Sequence, residues 1–267
     1  MGIFQALVLG LVQGATEFLP ISSSAHLVLT PWFLGWKDPG LAFDAFLHLG
    51  TLVAVLTYFW SDLVALAVAL VRSLKERRLT PRAKVAWLIL LGTLPAAVMG
   101  LGLEGFFEGL FAAPSRVALL LLVTGVILTL GERLRHREGR MEGLSWLDAL
   151  LIGLAQGVAI APGISRSGAT ISAGLWRGLG REEAARFSFL LAIPAILGAA
   201  ALEFPSLLGG TEGAGLAIMV GFLAAAVSGY VAIRFLLVFL KRRSLYPFAL
   251  YCWALGGFAL LFSLFRG

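Results

Sequence analysis

Charge is scarce in this 267-residue chain: Asp, Glu, Lys and Arg make up 13% of it, against 59% hydrophobic residues and a mean hydropathy of +0.92. Soluble domains carry about 25% charged residues, so a soluble fold is excluded and a polytopic membrane protein follows. Cysteine is reduced to Cys252, set in an apolar run. That excludes an intramolecular disulfide and any Cys-based metal site. The start, Met-Gly-Ile-Phe-Gln, lacks a basic n-region, so no cleavable signal peptide is expected. Low-complexity segments and interdomain linkers are also missing, and residues 1–267 read as a single membrane domain. The net charge of +6 comes from bases clustered between apolar runs, a pattern of membrane orientation rather than nucleic-acid binding.

Against that background, Gln13–His26 stands out: Gln-Gly-Ala-Thr-Glu-Phe-Leu-Pro-Ile-Ser-Ser-Ser-Ala-His. Ile3–Thr16 and Leu27–Leu34 on either side carry no charge, which puts Glu17 at membrane depth. An ionisable group there costs about 2.5–3.5 kcal/mol on insertion scales and marks a functional site by default. Ile160–Thr170, Ile-Ala-Pro-Gly-Ile-Ser-Arg-Ser-Gly-Ala-Thr, offers the opposite charge in a similar frame. The two stretches read as halves of one site.

About ten helical residues reach the midplane of a ~30 Å hydrocarbon core. Ile3–Phe18 and Ser22–Phe33, separated by Pro20, are therefore expected as two half-helices of a re-entrant hairpin. Ala42–Val71 reads as one span, bent near Trp60–Asp62. Val85–Leu103 and Arg116–Gly131 follow as spans, the first kinked at Pro95. Trp146–Trp176, broken at Pro162-Gly163, repeats the opening design, and Phe187–Leu202, Ala214–Leu240 and Leu245–Phe265 complete the set. At an offset of 143 residues, Gly10-Leu11, Gln13-Gly14, Ile21-Ser22 and Ser24 coincide with Gly153-Leu154, Gln156-Gly157, Ile164-Ser165 and Ser167. The expected fold is thus all-α, an inverted-topology repeat (1–145 and 146–267), each half a re-entrant hairpin plus three transmembrane helices.

Loop charges give an independent orientation. If the first hairpin opens outside, the loops inside are Arg72–Lys84, Glu132–Ser145, Arg177–Arg186 and Lys241–Ser244. They hold six, four, three and three bases, sixteen of the 21 Lys and Arg, while Lys37, Arg116 and Arg266 lie outside. The positive-inside rule then puts both termini outside. Glu104–Ser115 and Glu203–Gly213 are the remaining connections, and Arg166 and Arg234 fall within the membrane.

Several residues carry chemistry in this reading. Gln13 and Glu17 share a helix face; the plain alternative is a carboxylate that only stabilises the helix break. Ser22, Ser23 and Ser24 can cap the second half-helix. Ser23 and His26 lie three apart and Ser22 and His26 four, so a hydroxyl beside an imidazole forms a nucleophile–base arrangement. Arg166, between Ser165 and Ser167 at a half-helix start and followed by Gly168 and Thr170, makes an anion site in which guanidinium, free N–H groups and dipole converge. Arg234, seven residues before Lys241, reads as a snorkelling side chain. The Gly10-Gly14 and Gly153-Gly157 spacings point to helix packing. Asp44 and His48 share a face near the outer end of their span, as supporting partners of the site or as interfacial polar residues.

Gln13 to His26 together with Pro162-Gly163-Ile164-Ser165-Arg166-Ser167-Gly168-Ala169-Thr170 resemble the bacterial undecaprenyl-diphosphate phosphatase, or bacitracin-resistance, family over nearly the whole chain. The resemblance implies removal of the terminal phosphate of a C55 polyprenyl diphosphate, recycling the carrier for cell-wall synthesis and giving bacitracin resistance. It implies a divalent cation, Mg2+ or Ca2+, and a multi-pass protein of the bacterial cytoplasmic (inner) membrane with its site open to the periplasmic side. It assigns Glu17, Ser23, His26 and Arg166 to catalysis, with Glu17 linked to the metal. Ser22, Ser24, Ser165, Arg166, Ser167 and Thr170 would bind the diphosphate, with Gln13, Asp44 and His48 behind them. Gln13 stands where some members carry a Glu, and Ala25 replaces the usual Gly before the His. The expected partners are the polyprenyl diphosphate and the bilayer, with no nucleic acid; a homodimer is left open. The rival class is a secondary transporter or lipid flippase, which shares inverted repeats and intramembrane charges but needs a sealed membrane and a gradient.

Overall fold

The computed structural model describes residues 1–102, 105, 113–209 and 215–265, and places eleven α-helices among them. They are α1 (Ile3–Phe18), α2 (Ser23–Leu34), α3 (Leu41–Tyr58), α4 (Trp60–Glu76), α5 (Pro81–Gly102), α6 (Pro114–Arg133), α7 (Trp146–Val158), α8 (Arg166–Trp176), α9 (Arg181–Gly209), α10 (Gly215–Leu240) and α11 (Tyr246–Phe265). Helices α5, α6, α9, α10 and α11 are each long and apolar enough to cross a membrane, and the α3–α4 pair makes a sixth span if taken together. This is an all-α polytopic membrane protein. The expected Glu104–Ser115 connection and Arg266 lie outside the described residues, apart from Gly105 and residues 113–115.

Both breaks fall where the sequence puts them. After Phe18 the chain reaches Leu19-Pro20, and proline cannot continue the i→i−4 ladder. Ser22 then caps α2, its Oγ accepting from the Ala25 N–H at 3.3 Å. In the second half Gly163 turns the chain at φ +103°, a conformation open to glycine. Ser165 caps α8, accepting from Gly168 N–H at 3.0 Å. The α7 start carries a reciprocal box in which Ser145 and Asp148 each accept from the other's backbone N–H.

Three boundaries sharpen or differ from the expectation. Ala42–Val71 is bent, at the expected place, into two helices: α3 and α4 meet at Phe59 at 77°. The bend sits there because Phe59 is fully buried against Phe189 and under the Arg186 guanidinium, while Asp62 pairs with Arg186 at 2.8 Å. No α4 residue is buried. The basic stretches expected as loops are partly helical, because α4, α5 and α9 run into them. Helix α9 continues to Gly209, past the expected end at Leu202; residues 210–213 of the expected Glu203–Gly213 connection lie outside the described residues.

The packing is crossed. Helix α1 lies against α10, with Gly10 on Gly221 and Gly14 on Ala225 and Ser228. Helix α7 lies against α5, with Gly153 on the Gly92 backbone and Gly157 on Met99. A Cβ at Gly14 would run into the Ala225 carbonyl, so the paired small residues set backbone approach, as their spacing indicates. Helix α3 packs on α9 and α6 on α11. Phe18, Phe59, Phe187 and Phe189, all fully buried, close the centre, with Phe18 and Phe189 edge to face at 5.3 Å.

The four basic segments gather at one end of the bundle. Arg181 forms a bidentate pair with Glu132, which also accepts from Leu245 N–H. Lys84 donates to the Glu142 carbonyl, Gly139 and Gly180 exchange backbone bonds with Gly178 and Gly139, and Lys241 lies 3.4 Å from Glu182.

Candidate active site

The two breaks meet. Ser24 Oγ accepts from Gly163 N–H at 3.3 Å, and Ser167 Oγ donates to the Leu19 carbonyl at 3.1 Å. Within each tip the cap and the second hydroxyl touch: Ser22 and Ser24 at 3.2 Å, Ser165 and Ser167 at 3.2 Å. Thr124 on α6 holds the second tip, donating to the Gly163 carbonyl and accepting from Ser165 N–H. Thr170 is engaged by Ser188 at 2.6 Å and by the Arg166 carbonyl. Of the residues expected on the diphosphate, Ser22, Ser24, Ser165 and Ser167 are therefore bonded within the protein as caps and staples, and Thr170 is bonded to α9.

Glu17 is the centre of what remains. Its side chain is 5% exposed. Arg166 Nη2 donates to Oε1 at 2.8 Å, and Ser23 Oγ donates to Oε2 at 2.5 Å. Gln13 Nε2 donates to Oε2 at 3.0 Å from one turn back. His48 gives its Nδ1–H to the Asp44 carbonyl and presents Nε2 3.7 Å from Oε2. Asp44 thus enters this group through its main chain. Two buried polar atoms beside the carboxylate have no partner, Gln13 Oε1 and Arg166 Nη1. A buried guanidinium N–H and a buried amide oxygen left unpaired cost about 1–3 kcal/mol each, which a bound ligand would recover.

One expected pairing is not formed. Ser23 is bonded to Glu17, not to His26. His26 Nδ1 lies 2.8 Å from the Ser22 carbonyl and Nε2 lies 2.7 Å from the hydroxyl of Tyr251 on α11. Spacing of one turn puts Ser23 and His26 on neighbouring positions, but Ser23 opens α2 and the tip folds it back onto the end of α1. Sequence reasoning missed Tyr251, Thr124 and Ser188. Each is a single hydroxyl 225, 41 and 18 residues from its partner, with no motif around it to mark it. Arg234 is exposed on α10, as a snorkelling side chain would be.

A divalent cation meets a limited donor set. Among the described residues no three of His, Cys, Asp and Glu come together. The oxygen donors here are one carboxylate, Glu17, and one unpartnered amide oxygen, Oε1 of the Gln13 whose Nε2 is bonded to that carboxylate. That set does not build a closed protein cage, but it fits a hard cation completed by phosphate oxygens and water.

Fold and site together define a polytopic membrane protein with a buried centre in which a hydroxyl is held on a carboxylate beside a guanidinium. The chain belongs to the bacitracin resistance protein BacA family, whose sequence profile matches residues 6–258. It is 48% identical over 259 residues to the undecaprenyl-diphosphatase of Rubrobacter xylanophilus, covering 95% of each chain. It is 47% identical to that of Carboxydothermus hydrogenoformans (96% of this chain, 95% of the relative) and 45% identical to that of Moorella thermoacetica (91% of each).

Proposed function

We propose that the chain hydrolyses undecaprenyl diphosphate to undecaprenyl phosphate and inorganic phosphate, recycling the carrier lipid for cell-wall synthesis and conferring bacitracin resistance. The observation that carries this reading is the 2.5 Å contact of Ser23 Oγ with Glu17 Oε2, with Arg166 on the other carboxylate oxygen and its Nη1 unpaired. The relatives' shared name points the same way.

In this mechanism Glu17 takes the Ser23 proton as Oγ attacks the terminal phosphorus. The Ser23 Oγ–P bond forms and the bridging P–O bond to undecaprenyl phosphate breaks. Arg166 Nη1 and the first N–H groups of α8 stabilise the charge on the phosphoryl oxygens. Glu17 then directs a water onto the phosphoserine; phosphate leaves and Ser23 regains its proton. A divalent cation, Mg2+ or Ca2+, would be held by Glu17 and Gln13 Oε1 with the diphosphate, and would neutralise phosphate charge there. The hydroxyls of Ser24 and Ser167 keep the tips together, those of Ser22 and Ser165 cap α2 and α8, and that of Thr170 ties α8 to α9.

The same reading includes an inverted repeat, 1–145 and 146–267. The crossed packing of α1 on α10 and α7 on α5 supports it, as do the matching Ser22–Ser24 and Ser165–Ser167 contacts. The gathering of basic segments at one end supports placing that end in the cytoplasm of a bacterial cell, with both termini and the mouth of the site on the outer side. A homodimer is part of the reading only as a state for a mass measurement to decide, and nucleic acid has no place in it.

Detergent-purified protein should release inorganic phosphate from a polyprenyl diphosphate without a membrane gradient, and a chelator should suppress the release. A protein that only moves substrate across sealed vesicles, with no phosphate released, would be a transporter instead.

A further inference from the structure

The contact between α11 and the first hairpin has no part in the chemistry proposed above. His26 Nδ1 lies 2.8 Å from the Ser22 carbonyl oxygen, and a carbonyl only accepts, so Nδ1 carries the proton. The neutral ring then presents Nε2 as an acceptor, and the Tyr251 hydroxyl, 2.7 Å away, donates to it. The two rings lie parallel, 5° apart in plane with centroids 5.7 Å apart. The resulting chain, Tyr251 O–H to His26 Nε2 and His26 Nδ1–H to Ser22 O, ends on a backbone group under strain. Ser22 sits at φ +69°, a left-handed value that side-chain-bearing residues adopt at a cost. Ser22 is followed directly by Ser23, the first residue of α2, whose hydroxyl reaches Glu17. Neither nitrogen of His26 is bonded to Ser23 or Glu17. The ring is 8% exposed, so water does not compete freely for its nitrogens.

We propose that Tyr251 is a positioning residue: it holds His26 so that His26 pins the strained Ser22 carbonyl and thereby aims Ser23 Oγ at Glu17. His26 is then a link in a chain that begins on the last span and not the acid or base of the reaction. The inference rests on Ser23 and Glu17 being the reacting pair.

Steady-state kinetics and pH–rate profiles of Tyr251→Phe, His26→Asn, the double variant and Ser23→Ala test it, with thermal unfolding as a check on folding. Loss of one orienting hydrogen bond in Tyr251→Phe should lower kcat about tenfold and leave KM and the acid limb of the profile in place. His26→Asn keeps an N–H for the Ser22 carbonyl and should also keep the acid limb. The double variant should be no worse than His26→Asn, because both residues act through one chain. In the wild-type protein, ring-labelled His26 should carry its proton on Nδ1 by nitrogen NMR, a readout that needs no variant. A wild-type kcat in Tyr251→Phe, an acid limb lost in His26→Asn, or a proton on Nε2 would each overturn the proposal. An active Ser23→Ala would instead overturn the reacting pair on which it rests.

Discussion

The two broken stretches, α1–α2 and α7–α8, share residues at their tips and, in the proposed mechanism, divide the chemistry. At matching positions 143 residues apart, Gln13 and Gln156, Ser22 and Ser165, and Ser24 and Ser167 are the same residue. The serines do the same work, capping α2 and α8 and stapling one tip to the other. Among the positions that differ are those that carry charge or, in the proposed mechanism, react. Glu17 is matched by Ile160, Ser23 by Arg166 and His26 by Ala169. Ser23 and Arg166, matched at the 143-residue offset, converge on the two oxygens of the same Glu17. In the proposed mechanism the two tips build one reaction centre: the shared serines cap and staple, while Glu17, Ser23 and Arg166, which have no like counterpart, carry the chemistry.

The largest effect should come from breaking the divergent set. Arg166→Ala should lose at least about 10³-fold in turnover, about 4 kcal/mol at 1.36 kcal/mol per decade. Arg166→Lys should remain poor, since an ammonium cannot hold Glu17 with one donor and offer a second in a fixed plane. Near-normal rates with Lys would reduce the role of Arg166 to charge alone. Replacing a shared residue should matter less and differently. Ser167→Ala removes the bond to the Leu19 carbonyl and should cost about 1 kcal/mol of stability, visible as a lower unfolding temperature, with turnover within a few-fold of wild type. A loss of turnover as deep as that of Arg166→Ala would give the staple a direct part in the chemistry.

The smallest effect separates the two glutamines. Gln13 donates to Glu17, whereas both polar atoms of Gln156 are buried without a partner. Gln156→Met should therefore be neutral or raise stability by about 1 kcal/mol, with activity unchanged. Gln13→Met should lower activity. Equal responses at the two positions would break the division between the copies.

Much of this was legible in the residues alone. Pro20 and Pro162-Gly163 mark the breaks, Glu17 and Arg166 stand out as charges in apolar stretches and are found paired, and small-residue spacing marks the packed faces of α1 and α7. The pairing of Ser23 was not legible. Periodicity reports which residues share a helix face, but Ser23 meets Glu17 across a turn whose direction depends on the positive φ of Ser22. The 77° bend at Phe59 was legible in place but not in size, because its cause is a side-chain group, Phe189, Arg186 and Asp62, assembled from α4 and α9. Tyr251 and Thr124 were invisible for the same reason: their partners lie in other helices.

The central claim is that Ser23, held on Glu17, attacks phosphorus. Acid quench of the wild-type protein during turnover of a polyprenyl diphosphate, followed by mass spectrometry, tests it most directly. A phosphoryl group on Ser23, absent in Ser23→Ala and absent or strongly reduced in Glu17→Gln, is the expected result. Unmodified Ser23 throughout turnover, with Ser23→Ala keeping most of the wild-type rate, would contradict it and leave Ser23 as a helix-start residue beside a centre that uses water.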